Sequence, residues 1–303
     1  MIKLPSGVDI NKLIDDLRIF SWEAYEILLY YSQILKDSNS KSNILKNDDN
    51  EDPVTLADLK VNEIIIDRIN EKYNGINWEI LSEENVKIVS NSFDPNSDWV
   101  WVLDPLDGTK DFIQGTSNYA MHLALNYKQK PYLGVVLIPE KDELWIANGE
   151  KVWCERRDKR ELKPNLSRKK SLKDMVIVTS KNHRNQNLKT LIEKIGFKDV
   201  IIMGSIGCKI ASIIRGDSDI YICLSLPGKS SPKDWDFSAP EVILKAAGGA
   251  ITNLNNMELS YGKSNFEHGG IIVASNNKLM HKSVCLEIKE IIKRYDLYPL
   301  DFN

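Results

Sequence analysis

The sequence predicts a mixed fold in two lobes, an antiparallel sheet with helices (α+β) followed by an α/β lobe. Three observations point there. Residues 119–155 hold four short β-rich segments joined by tight connections. From Met175 onward, strand-like and helix-like segments alternate, which implies a sheet with helices packed on it. Ahead of both, Asp9 to Leu35 repeats apolar residues at helical spacing. The expected lobes are residues 1–158 and 159–303.

In chain order, Ile10, Leu13, Ile14, Leu17, Trp22, Tyr25, Leu28 and Leu29 make a long amphipathic helix of the first segment. Lys36–Asp52 is rich in Ser, Asn, Asp and Lys and reads as a mobile polar loop, either a linker or a cover for a site. Thr55-x-x-Asp58 fits a helix start, with Thr55 as N-cap and Asp58 in the first turn. The helix behind it carries Val61, Ile64, Ile65 and Ile69. Trp78–Leu81 is a short strand ending in Ser82-Glu83-Glu84, a surface pair or a pair aiming one oxygen donor inward. Trp99–Leu103, five large apolar residues, is a buried strand. Tyr119–Asn126, Tyr132–Ile138, Glu143–Ala147 and Lys151–Glu155 follow as antiparallel strands, with Lys141-Asp142 as one hairpin turn. Arg156–Lys173 is a basic connection. Beyond it, strands Met175–Ser180, Val200–Met203, Asp219–Leu224 and Ile271–Ala274 alternate with helices Asn187–Ile195, Ser205–Arg215, Asp236–Ala247 and Lys278–Tyr295.

At 303 residues the chain can bury most of its apolar surface. A net charge of −3 leaves no general footprint for nucleic acid or an anionic membrane. No apolar run approaches the roughly 20 residues that span a bilayer, and the N-terminus lacks the apolar core of a secretory signal. The four cysteines lie far apart without C-x-x-C spacing, which argues against zinc or a disulfide framework. A cytoplasmic enzyme with reduced thiols is expected; monomer and homodimer both stay open.

The chemistry gathers where the Trp99–Leu103 run ends. Asp104-Pro-Leu-Asp107-Gly108-Thr109 delivers two carboxylates into a Pro- and Gly-shaped turn at the edge of a core. Carboxylates there are costly unless something cationic pairs with them. Turn chemistry explains either Asp dipeptide alone, but poorly explains both behind such a strand. Asp58, Glu83 and Asp236 add oxygen donors at other element boundaries, although Asp236 also suits a plain N-cap. No cysteine accompanies these residues and no histidine neighbours them in sequence. An all-oxygen set selects a hard cation, Mg²⁺ or Mn²⁺, over zinc. Ser205 and Lys209 open a helix with a hydroxyl and an amine one turn later, either a phosphate cradle or an ordinary cap and a solvated lysine.

D-P-V-T-L-A-D (52–58), L-S-E-E (81–84), W-V-L-D-P-L-D-G-T-K-D-F (101–112) and W-D-F-S-A-P-E…A-G-G (235–249) resemble the signatures of the Mg²⁺-dependent, lithium-sensitive inositol monophosphatase superfamily. The resemblance spans Asp52 to Gly249. D-G-T-K-D-F, the Thr179–Arg184 segment (similar to S-x-S-H) and Gly204–Lys209 (similar to G-S-x-x-K) lean toward its 3′(2′),5′-bisphosphate nucleotidase, CysQ-type branch.

The resemblance implies a layered αβαβα sandwich. It implies that Glu83, Asp104 and the Leu106 carbonyl hold one Mg²⁺, and Asp104, Asp107 and Asp236 a second. Two or three ions are expected in all, with Mn²⁺ able to substitute and Li⁺ inhibitory. Asp58 and Thr109, helped by Glu83, would activate water, Gly108 and Thr109 would hold the phosphate, and His183, Ser205 and Lys209 would contact the substrate. The implied reaction is in-line attack of water on the 3′-phosphate of adenosine 3′,5′-bisphosphate, or of its 5′-phosphosulfate, in sulfur metabolism. Inositol phosphates and sugar bisphosphates such as fructose 1,6-bisphosphate stay open as substrates, as does a silent phosphate-binding regulatory protein. One departure bears on the substrate: where the branch carries an arginine after Y-x, this chain has Tyr221-Ile-Cys223, then a longer segment to Lys233. Lys229 and Lys233 are the available replacements.

Overall fold

The computed structural model describes residues 2–36, 45–47, 54–88, 94, 97–149, 151–158, 160–167, 169, 171–181 and 185–299. His183 and most of the expected 36–52 loop lie outside these residues. The part of that loop that is described, β1 (Leu45–Asn47), pairs antiparallel with β2 (Val54–Thr55).

Two helices cover one face of the first sheet. α1 (Ile10–Lys36) and α2 (Leu56–Lys72) bury Leu13, Leu17, Phe20, Leu28, Val61, Ile65 and Ile69 against Trp101, Leu103, Leu123, Val135 and Ile146. The sheet has the order β3 (Glu79–Ser82), β4 (Trp99–Asp107), β5 (Ala120–Tyr127), β6 (Lys130–Ile138), β7 (Glu143–Asn148) and β8 (Lys151–Glu155). It is antiparallel except for the parallel pair β3 and β4. Successive strand side chains point to opposite faces, so Val100, Val102, Ala124, Val136 and Trp145 line the other side.

On that other side lie α6 (Ile206–Arg215) and α7 (Asp234–Ala246), and beyond them the second sheet. Its order is β10 (Asp199–Met203), β9 (Val176–Ser180), β11 (Ile220–Ser225), β13 (Gly270–Ser275) and β12 (Ala250–Asn253). β9, β10 and β11 run parallel, so their carboxyl ends share one edge. α5 (Gln186–Ile195) and α8 (His281–Tyr295) close the outer face over Ile177, Ile222 and Val273. The result is the αβαβα layering. The middle layer shares one apolar core with both sheets, through Ile213, Phe237 and Ile243.

Local differences from the sequence reading have physical causes. The Trp99 strand continues through Pro105 to Asp107, because an irregularity in its pairing with β5 between Asp104 and Asp107 accommodates a residue with no N–H. Glu83 and Glu84 begin a helix, α3 (Glu83–Ile88), rather than ending a strand. α7 starts at Asp234, which puts Asp236 in its first turn instead of at its N-cap.

Candidate metal centre

Three acidic residues meet at the end of β4. Asp104 and Asp107 come from either side of the strand irregularity, and Asp236 from the first turn of α7; one oxygen of each lies within 4.8 Å of the others. Asp104 and Asp107 are buried and Asp236 is half-buried. Burial, then the charges of Glu83, Asp107 and Asp236, push the Asp104 carboxyl well above its usual range. Burial and the neighbouring Asp107 charge raise Asp236 to about 7. Burial also opposes ionisation of Asp107, but His122 beside it, Lys209 and the Ser205 hydroxyl outweigh that and hold it low. Buried carboxylates this close repel one another unless a cation sits among them, and an all-oxygen donor set fits a hard divalent ion. Glu83 lies against Asp104, through which its charge acts, while Lys87 donates to Glu83 at 3.1 Å.

Asp58 stands beside this cluster and is used twice. Its Oδ2 accepts the Thr55 N–H at 2.8 Å and the Thr55 hydroxyl at 2.5 Å, completing a capping box at the start of α2. Its Oδ1 faces the Thr109 hydroxyl at 3.4 Å, a long contact. Thr109 Oγ1 donates at shorter range, 3.0 Å, to the Leu106 carbonyl. The hydroxyl has one proton and two acceptors. Burial raises Asp58 to about 7, with Glu84 adding to the rise. Glu84, only 3% exposed, was not singled out in the sequence.

Gly108 joins β4 to α4 (Thr109–Ile113) with φ of 89°, and a Cβ there would stand 2.8 Å from the Asn118 carbonyl oxygen. Glycine is required on both counts. Ser205 and Lys209 are turned inward. Ser205 caps α6 through the Cys208 N–H and donates to Asp107 Oδ2 at 2.6 Å. Lys209 is 1% exposed, donates to the Gly204 carbonyl at 2.6 Å, and sits over the Tyr221 ring. The anion at the α6 N-terminus is therefore Asp107 itself, which also accepts the Gly207 N–H at 2.9 Å.

His122, fully buried on β5, is the group the sequence reading passed over. It is the cross-strand partner of Asp104, and its Nε2 lies 3.1 Å from Asp107 Oδ2 without forming an aligned hydrogen bond. The available signal was a histidine in the middle of an otherwise apolar strand, A-M-H-L-A-L. Farther along, Ser225, Ser230, Ser231, Lys229, Lys263 and Glu267 contribute to a cavity of about 670 Å³ past the end of β11. Lys233, at the N-cap of α7, pairs with Glu267 at 2.7 Å.

The pattern of the inositol monophosphatase family matches residues 16–293 of this chain. The 3′(2′),5′-bisphosphate nucleotidase CysQ of Buchnera aphidicola subsp. Acyrthosiphon pisum is 30% identical over 214 residues, 70% of this chain and 75% of that protein. The enzyme of the same name from Escherichia coli K12 is 26% identical over 227 residues, 74% and 85% of the two chains. Among solved structures, the Thermotoga maritima IMPase superposes with a TM-score of 0.71 at 22% identity, covering 94% of this chain and 99% of that one.

Proposed function

The chain belongs to the inositol monophosphatase family and is a phosphatase, and on that footing we propose that it removes the 3′-phosphate of adenosine 3′,5′-bisphosphate in a Mg²⁺-dependent reaction. The observation that carries the chemistry is the cluster of Asp104, Asp107 and Asp236 at the end of β4. The nucleotide reading is supported by the likeness to the Buchnera nucleotidase. The cavity past β11 supports it too, because Lys229 and Lys263 there offer cations to a second phosphate where the branch arginine is missing. A volume of several hundred Å³ suits a ligand of nucleotide size.

Asp104, Asp107, Asp236, Glu83 and the Leu106 carbonyl would hold Mg²⁺, which would supply Lewis-acid activation of water and neutralise charge on the phosphoryl oxygens. Asp58 is the proton acceptor. It orients the Thr109 hydroxyl, whose oxygen in turn takes a hydrogen bond from the attacking water, and a carboxyl near pH 7 is matched to that task. The backbone N–H groups of Gly108 and Thr109 bind the phosphate. Water is the nucleophile, so inversion at phosphorus and no phosphoenzyme are part of the reading.

A second reading keeps the same centre and takes an inositol phosphate or sugar bisphosphate. One observation favours it: Ser205 and Lys209 are engaged within the protein rather than turned outward as a phosphate cradle. The deciding experiment is phosphate release with Mg²⁺ from adenosine 3′,5′-bisphosphate, inositol 1-phosphate and fructose 1,6-bisphosphate. The nucleotide should lead in kcat/KM by 10²-fold or more, about 2.7 kcal/mol. A lead for inositol 1-phosphate or fructose 1,6-bisphosphate would replace the first reading with the second.

A further inference from the structure

Asp104 and Asp236 each accept one backbone N–H, from Leu106 and Lys233, whereas Asp107 is held by side chains as well. Its Oδ2 accepts the Ser205 hydroxyl at 2.6 Å and the Gly207 N–H at 2.9 Å, and lies 3.1 Å from His122 Nε2. Two donors and an imidazole edge occupy that oxygen. The opposite edge of the imidazole faces the other two acidic residues: Nδ1 is 3.3 Å from the carbonyl oxygen of Trp235, the neighbour of Asp236, and 4.0 Å from Asp104 Oδ2. One buried ring thus touches the surroundings of all three carboxylates.

Space for the ring is built in. A Cβ on Gly207 would stand 2.2 Å from His122 Nε2 and 2.9 Å from Val136 Cγ1, so only glycine lets the first turn of α6 come this close. The helix end brings the Ser205 hydroxyl and the Gly207 N–H to the same oxygen that His122 approaches from β5.

We propose that His122 and Ser205 are positioning residues that clamp Asp107 Oδ2, leaving Oδ1 alone to bind the divalent cation. A carboxylate free to rotate offers either oxygen or both, and must be ordered when the ion arrives. A clamped one is already aimed, and outer groups that fix a ligand in this way are worth about 10–100-fold in metal affinity. This inference rests on the cluster binding a divalent cation, and is independent of the choice of substrate.

The test is Mn²⁺ binding to the chelator-treated full chain without substrate, followed by electron paramagnetic resonance at one pH, for wild type, His122→Ala, His122→Asn and Ser205→Gly. Glycine retains most N-cap stability, so Ser205→Gly removes the hydroxyl from Asp107 with little effect on α6. His122→Ala and Ser205→Gly should each weaken Mn²⁺ binding by about 10–100-fold. His122→Asn, which keeps a polar side chain beside Asp107, should fall between them and wild type. At saturating metal, substrate KM should stay within about threefold of wild type. If His122→Ala does not fold, the other two variants carry the same expectation. Unchanged Mn²⁺ affinity in Ser205→Gly and in either His122 variant that folds would overturn the clamp. Failure of wild type to bind Mn²⁺ would instead overturn the metal centre, and this inference with it.

Discussion

Asp58 does two jobs with one carboxylate. Oδ2 caps α2 and Oδ1 faces Thr109. Its helix-start role was legible from Thr55-x-x-Asp58, and its place in the site from the family motif, because both lie in a few consecutive residues. His122 was not legible, because it reaches Asp107 through strand register: Asp104 is paired with His122 eighteen positions along the chain, and no local spacing encodes that. Lys209 reads from sequence as a lysine one turn into a helix; it is held inward by the Gly204 carbonyl just ahead of α6 and by the Tyr221 ring on β11. Burial raises the Asp58 carboxyl to about 7, so its ionised, proton-accepting form is lost as pH falls through neutrality. Turnover should decline as pH drops from 8 to 6, and Asp58→Asn should lower kcat by about 10²–10⁴-fold. A flat wild-type profile across that range, or near-normal turnover in Asp58→Asn, would remove Asp58 as the base.

At the scale of elements, the site is a junction of strand and helix ends. β4 carries an acidic residue on either side of its pairing irregularity, Gly108 reverses the chain into α4, and α6 and α7 bring their first turns to the same edge. The long periodic elements were readable because burial repeats along them: α1, the four strands after residue 119, and the alternation after Met175. Short ones were not. α3, α4 and β12 have too few residues to show a period, and tertiary packing holds them. Gly108 tests the junction directly. Gly108→Ala places a Cβ at φ of 89° and 2.8 Å from the Asn118 backbone oxygen. Strain of about 1–2 kcal/mol from the backbone alone is expected, with the clash added to it. The variant should melt several degrees lower and lose most of its turnover. An unchanged melting temperature together with normal activity would show that the turn adapts.

Across the whole molecule, the two sheets are one structure more than two. Residues from both pack on α6 and α7 in a single apolar core. The acidic cluster sits where that middle layer meets the first sheet, so a divalent ion bound there would be coupled to folding. In the metal-free chain, the Asp236 carboxyl is raised from 3.8 to about 7. Its folded-state contribution is therefore fully present below about pH 4 and lost as pH rises through 7, because the folded site prefers the proton. A cation replaces that proton. Stabilisation by Mg²⁺, worth about 2.7 kcal/mol at 100 times Kd, should be larger at pH 8 than at pH 5.5 for a fixed ion concentration. Thermal melts with and without Mg²⁺ at the two values check this. Equal shifts at both would mean that the ion binds elsewhere than among these carboxylates.

The most direct measurement is phosphorus NMR of adenosine 3′,5′-bisphosphate incubated with chelator-treated protein, before and after Mg²⁺ is restored, alongside Asp107→Asn. Inorganic phosphate and adenosine 5′-monophosphate should appear only when Mg²⁺ is present, and Asp107→Asn should form neither at a comparable rate while remaining folded. Release at the same rate without metal, the 3′-monophosphate as product, or full activity in Asp107→Asn would contradict a carboxylate-held metal centre that cleaves the 3′-phosphate.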